Sequence, residues 1–209
     1  MDNALTLIQG WITESKRKIT VIPRNNRLHT CEEILGITEH SVLGTIFNHT
    51  GGLCVADGLI RHFGGNNQFV LSLSEANKLD NKKPTLIEGV LVVAIDIYSG
   101  LFGINIDYLG TPPGSMIYLP PDSYSWFPMK IGHADFVQWS MSNRVATFYE
   151  DYQQLPVQLN DRFDTIAQYM PPLWSVDLLS TKFKLSPINV TKMLAIRAGY
   201  LAEINNQFK

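Results

Sequence analysis

LIEGVLVVAI, residues 86–95, is almost unbroken Val, Ile and Leu, the pattern of a strand covered on both faces rather than on one. It predicts the centre of a sheet. The longer apolar run to which it belongs, Leu86 to Ile97, is interrupted by Glu88 and Asp96 and falls well short of the roughly 18 residues of a membrane span. No membrane insertion is expected.

Working outward, the flanking segments alternate between short β-rich runs and turn residues. Upstream, Val42–Phe47, Leu53–Val55, Leu59–Phe63 and Phe69–Leu73 read as strands. They are separated by Thr50-Gly51-Gly52, Asp57-Gly58 and Gly64-Gly65-Asn66-Asn67, residues that supply the positive φ of hairpin turns. Ser74 to Pro84 is polar and loop-like. Downstream, Leu101–Ile106, Ser115–Leu119 and Tyr124–Pro128 continue the strand series. Further out the period becomes helical. Asn3 to Lys16 is amphipathic through Leu5, Ile8, Trp11 and Ile12, and Ile19–Ile22 before Pro23 is an edge strand. Thr30 and Glu33 have capping-box spacing for a short helix Cys31–Leu35. Asp135–Met141 and Asn143–Tyr152 are helical, and a last helix is expected from Pro187 to about Asn205, with Ser186 as N-cap. The fold class is α+β: an N-terminal helical part, a central antiparallel sheet of about five to seven strands, and C-terminal helices. Residues 1–175 form one domain, and 176–209 a helical extension packed on it or used for homo-oligomerisation through Ile188, Met193, Leu194, Ile196, Leu201 and Ile204.

Composition narrows the function. Of 209 residues, 45% are hydrophobic and 17% charged, against about 25% charged in an average domain, so the chain buries a substantial core. The formal charge of −2 provides no basic field for counterion release, which excludes a general nucleic-acid binder. Cys31 and Cys54 lack a second Cys or a His at zinc spacing; two buried thiols are favoured over a disulfide. The basic cluster Lys16-Arg17-Lys18 follows the first apolar stretch instead of preceding it, the wrong order for a secretory signal. A cytoplasmic protein with no metal and no cofactor is expected.

Two constellations are candidates for function. Asp96, Asp107 and Asp122 fall near strand ends and would line one rim of the sheet with Tyr98, Tyr108 and Trp126, a surface for a protein partner, since Tyr and Trp are enriched at interface hot spots. Fifteen of the 22 aromatic residues lie between Tyr98 and Trp174. The alternative is a ligand or catalytic pocket near the glycine turns, built from His49, Asp57, Arg61 and His62 with Asp96. Ser41, Ser72, Ser99, Cys31 and Cys54 stand in no recognisable nucleophile context, and the glycines lack phosphate-loop spacing. The balance is against an enzyme.

The succession GTIFNHTGGLCVADGLIRHFGG, LVVAIDIYSGLFGINIDYLG, SMIYLPPDSYSW, ADFVQWSMSNRVATFYEDY and YMPPLW resembles a bacterial family catalogued as a domain of unknown function, over residues 1–175. Leu59 stands where that family usually has Trp and Gly103 where it has Ala. More distantly, Thr50-Gly51-Gly52, Asp96, Phe102–Asn105 and Asp135-Phe136-Val137 resemble the outline of the SUKH superfamily, α+β proteins many of which neutralise toxins. That resemblance implies an immunity-type protein acting on a toxin partner.

Overall fold

The computed structural model describes residues 3–25, 29–79, 86–107, 110–157 and 163–207. Its centre is β4, Val90–Asp96, in which all seven residues are buried. The strand begins at Val90 instead of Leu86 because Gly89 turns with φ 74° and Ile87 bridges back to Val90. β4 is fourth of seven in a sheet whose spatial order is its chain order. The strands are β1 Ile19–Ile22, β2 Gly52–Val55, β3 Ile60–Phe63, β4, β5 Leu101–Asn105, β6 Ser115–Leu119 and β7 Phe127–Gly132, every pair antiparallel. The fold is α+β, with an N-terminal helix and a C-terminal helix on a seven-stranded meander.

Helices cover both faces, which is why β4 carries no polar alternation. On one face lie α3 Val42–His49, α5 His133–Ser140 and α6 Arg144–Phe148. Phe102 of β5 meets Phe136 of α5 at 4.7 Å between ring centroids, and the His62 ring of β3 contacts the Ser140 hydroxyl. α1 Ala4–Glu14 and α2 Cys31–Leu35 pack on α3; Asn3 caps α1 by accepting from the Leu5 amide, and Thr30 and Glu33 form the expected capping box of α2. On the other face lie α4 Leu73–Asn77, the hairpin of β8 Thr165–Met170 with β9 Lys184–Asn189, and α7 Val190–Gln207. Adjacent strand residues point to opposite faces. Arg61, next to His62, accordingly reaches the second face and donates to the carbonyls of Phe163 and Thr165. Asn77 of α4 fastens that layer to β4, accepting from the Val92 amide and donating to the Val92 carbonyl.

Four expected elements differ. Val42–Phe47 is not a strand but most of α3, whose residues 42–48 are all buried. Val42, Leu43, Ile46 and Phe47 do recur at helical spacing, but over only eight residues the stripe is short and the β-branched content imitates a strand. The Ser41 hydroxyl caps it by accepting from the Gly44 amide. Phe69–Leu73 is likewise no strand: Ser72 and Glu75 form a reciprocal capping box that starts α4 inside the expected loop 74–84. The strand expected at Tyr124–Pro128 is displaced to β7. The last helix starts at Val190, where Asn189 accepts from the Thr191 amide; Ser186 and Pro187 belong to β9, opposite Gln168 and Ala167 of β8. Proline is tolerated there because β9 is an edge strand.

α7 turns its apolar side toward the domain. Met193, Leu194 and Leu201 are buried, and Ile188, Ile196 and Ile204 are half-buried. These six do not form the exposed stripe expected of an oligomerisation helix. Among the described residues no helix is long and apolar enough to cross a membrane. Cys31 and Cys54 are free, buried thiols, pushed up to about 11 and about 12 by burial.

Candidate functional site

The sheet has two rims, and they separate the candidate residues. Leu101 pairs with Leu119, and Ile60 with Asp96. The turns 56–59, 96–100 and 120–126 therefore share one rim, which contains Asp57, Asp96 and Asp122. Asp107 follows the far end of β5, about 17 Å away at ~3.3 Å per residue, and its amide bonds to Gly89 on the opposite rim. The expected row of three carboxylates is thus a pair, because an antiparallel meander sends successive strand ends to alternate rims. Asp107 is exposed, and Tyr108 lies outside the described residues.

Asp96 is fully buried and holds four hydrogen bonds. Its Oδ1 accepts from the amides of Tyr98 at 2.9 Å and Gly100 at 2.8 Å. Its Oδ2 accepts from the hydroxyls of Tyr118 at 2.8 Å and Tyr149 at 3.0 Å. Burial pushes the Asp96 carboxyl up, and the four donors oppose that shift. Both tyrosines are pushed well above their ordinary value, by burial first and by the Asp96 charge second, so they stay protonated and donate. Gly100 is required here: a Cβ would overlap Asp96 Oδ2 and the Tyr118 hydroxyl. Tyr98 is buried against Tyr149 and Tyr152, at 5.6 and 5.4 Å between centroids. The Tyr152 hydroxyl donates to Asp122 at 2.6 Å. Asp96, Tyr98 and Asp122 therefore do come together, through Tyr118, Tyr149 and Tyr152. Trp126 is buried, seated on the bare face of Gly103, where a Cβ would lie 3.4 Å from its ring. As partner-contact residues Asp96, Tyr98 and Trp126 are corrected: side chains this deep meet the core, not another protein.

The four residues of the alternative pocket do not converge. His49 is exposed at the end of α3 on the far rim. Asp57 is exposed in the β2–β3 turn and pairs with Lys18 at 2.7 Å. Arg61 and His62 are buried on opposite faces of β3. The Ser140 hydroxyl already donates to the Val137 carbonyl, so His62 Nε2–H must donate to Ser140 Oγ and its Nδ1 is left with a bare lone pair. Burial lowers His62 to about 3 and His133 to about 4. Both are neutral near pH 7. Among the described residues no group of three His, Cys, Asp or Glu side chains could hold a metal ion.

A residue that the sequence did not single out organises the rim from below. Arg197 of α7 is 2% exposed and donates to the carbonyls of Pro120, Pro121 and Ser123 at 2.6–3.4 Å. Its guanidinium carbon lies 5.0 Å from the Trp174 ring centroid. Only the isolated charge on the apolar side of a helix pattern signals such a residue.

The fold and rim define an α+β meander protein organised around a saturated buried carboxylate. The chain belongs to the family described as "Protein of unknown function DUF2625", which matches residues 1–180. It is similar to the "Putative uncharacterized protein YbfG" of Escherichia coli K12, 29% identical over 153 residues, covering 72% of this chain and 69% of that protein. It also resembles an "Uncharacterized protein" of Haemophilus influenzae, 25% identical over 157 residues, or 70% of this chain and 65% of that one. No solved structure matches. The family match ends ten residues before α7 begins.

Proposed function

We propose that this chain is a non-enzymatic, cytoplasmic protein-binding module that acts by occluding a protein partner, and that its SUKH-like order of motifs makes the partner a toxin. Asp96 carries the reading. The carboxylate best placed for chemistry is fully buried and accepts four hydrogen bonds, so it builds the core instead of meeting a substrate. Arg61 and Arg197 also use their donors inward, on backbone carbonyls.

The surface that fits a partner is the exposed part of the same rim. Asp122 is exposed, and Phe127 is 52% exposed at the start of β7. Arg197 holds the loop between them and β6 from behind, which pre-organises it and lowers the entropy cost of binding. β7 is an edge strand, yet Pro128 and the positive φ of Lys130, 59°, interrupt its outer ladder. Recognition through side chains is favoured over strand addition.

The test is affinity capture of the tagged chain in its native host, beside Asp122→Lys and Phe127→Asp variants of unchanged melting temperature, and co-expression with a toxin encoded next to its gene. The wild type is expected to retain a stoichiometric partner and restore growth, and both variants to lose it at least tenfold. A wild type that captures no stable partner, or variants that bind as well as it does, would overturn the proposal.

A further inference from the structure

On the second face a cavity of about 260 Å³ opens between β8, the segment 171–174 and α7. Met170, Leu173 and Trp174 form one wall and Met193, Ile196 and Tyr200 the other, with Ser99 from the β4–β5 turn and Gln168 as its non-aromatic polar side chains. Its size, its polar supply and its charge each restrict what fits.

An apolar cavity of about 150 Å³ holds benzene. Scaled at constant packing, 260 Å³ takes roughly ten non-hydrogen atoms. That is a bicyclic aromatic, smaller than the ligands of sites that begin near 300 Å³. The Ser99 residue is 3% exposed, and its hydroxyl has no hydrogen-bond partner among the described residues. It also holds φ at 77°, a conformation that costs a non-glycine residue energy and recurs at ligand sites. A glycine would sit there without strain, so the side chain is kept at a cost. None of the lining residues carries a formal charge at neutral pH. The nearest buried cation, Arg197, lies against the Trp174 ring and donates to carbonyls elsewhere. An ionic ligand would find no counter-charge.

We propose that this cavity binds a neutral, planar, bicyclic aromatic molecule with one hydrogen-bond donor, its ring against Trp174 and its donor on Ser99. Three wall residues, Met193, Ile196 and Tyr200, lie beyond the family match.

The test uses the full chain labelled with 5-fluorotryptophan, in which Trp11, Trp126, Trp139 and Trp174 give separate fluorine resonances and a Trp174→Phe variant assigns the last. Indole is titrated to millimolar concentration. The Trp174 resonance is expected to move saturably while Trp11 and Trp139, on the opposite face, stay in place. Ile196→Phe, which narrows the cavity, is expected to weaken indole at least tenfold. Ser99→Gly suits the backbone and removes the hydroxyl; it should weaken indole at least threefold and leave 1-methylindole, which has no donor, within twofold. An unmoved Trp174 resonance refutes the site, and equal indole binding by the wild type and Ser99→Gly refutes the role of the hydroxyl.

Discussion

Removing one tyrosine hydroxyl from Asp96 is the sharpest test of the core. Tyr118→Phe and Tyr149→Phe each delete one hydrogen bond to a buried carboxylate, at 2.8 and 3.0 Å, and leave the rings in place. Tyr118 keeps its stacking on Phe102, 4.5 Å between centroids. A hydrogen bond to a charged group contributes about 1.5–3 kcal/mol, so each variant should lose about 2 kcal/mol. The double variant should lose about 4 kcal/mol, more if the carboxylate then lacks enough donors. Asp96→Ala would orphan four donors and unfold the domain, whereas Asp96→Asn should cost less because both tyrosine hydroxyls can rotate to accept from its amide. The pH dependence fixes the mechanism. The Asp96 pKa is raised in the folded state, so the fold holds this proton more tightly than the unfolded chain does. The resulting cost is absent below the unfolded value near 3.8 and grows as pH rises through the folded one. Losing a donor raises the folded value further, so the deficit of the Phe variants should widen toward alkaline pH and shrink in acid. Urea unfolding at about pH 5 and about pH 8 reads this directly. A deficit under about 0.5 kcal/mol, or one independent of pH, would refute the reasoning.

Arg197→Met should lower stability by about 3 kcal/mol by stranding the carbonyls of the 120–123 loop, with Arg197→Lys recovering less than half, because an ammonium cannot fork to three acceptors; a melting temperature equal to that of the wild type would contradict this. His62 stays neutral in the fold down to about pH 3 while its unfolded form protonates near 6.5. It therefore removes stability as pH falls between those values, by up to about 1.4 kcal/mol per pH unit. His62→Phe should flatten that slope in stability-versus-pH curves, and since the Asp96 contribution is common to both proteins, identical slopes would exclude His62 as its source. A chain ending at Ser180, the limit of the family match, should show no cooperative thermal transition, because α7 supplies Val190, Met193, Leu194 and Leu201 to the core; a sharp melt would show that the domain closes without it.

The sheet was legible because its signals are local. The two-sided burial of Val90–Asp96 and the Asp57-Gly58 turn each specify one structure within a few residues, as the Thr30/Glu33 capping box does for the short helix α2. α3 was not, since its stripe of Val42, Leu43, Ile46 and Phe47 spans little more than one turn and its β-branched residues read equally as a strand. The site was half legible. Asp96 stands out as an acid at the end of an apolar strand, but its partners lie 22 and 53 residues away, and no local pattern links Tyr118 or Tyr149 to it. Asp107 was misplaced because reading strand ends as one rim ignores the reversal at each hairpin. His62 and Arg61, neighbours in sequence, were grouped as one pocket although strand geometry places them on opposite faces.

The reach of Arg197 back to Pro120, Pro121 and Ser123, 74 to 77 residues earlier, has a consequence for the order in which the fold closes. Six of the seven strands pair with their immediate predecessor, and the β2–β3, β4–β5, β5–β6 and β6–β7 connections are short enough to close locally. The guanidinium that closes the 120–123 loop arrives only with the last helix. The turns of the sheet therefore close without α7, whereas the 120–123 loop is fixed only once that helix has docked on the second face beside α4 and the β8–β9 hairpin.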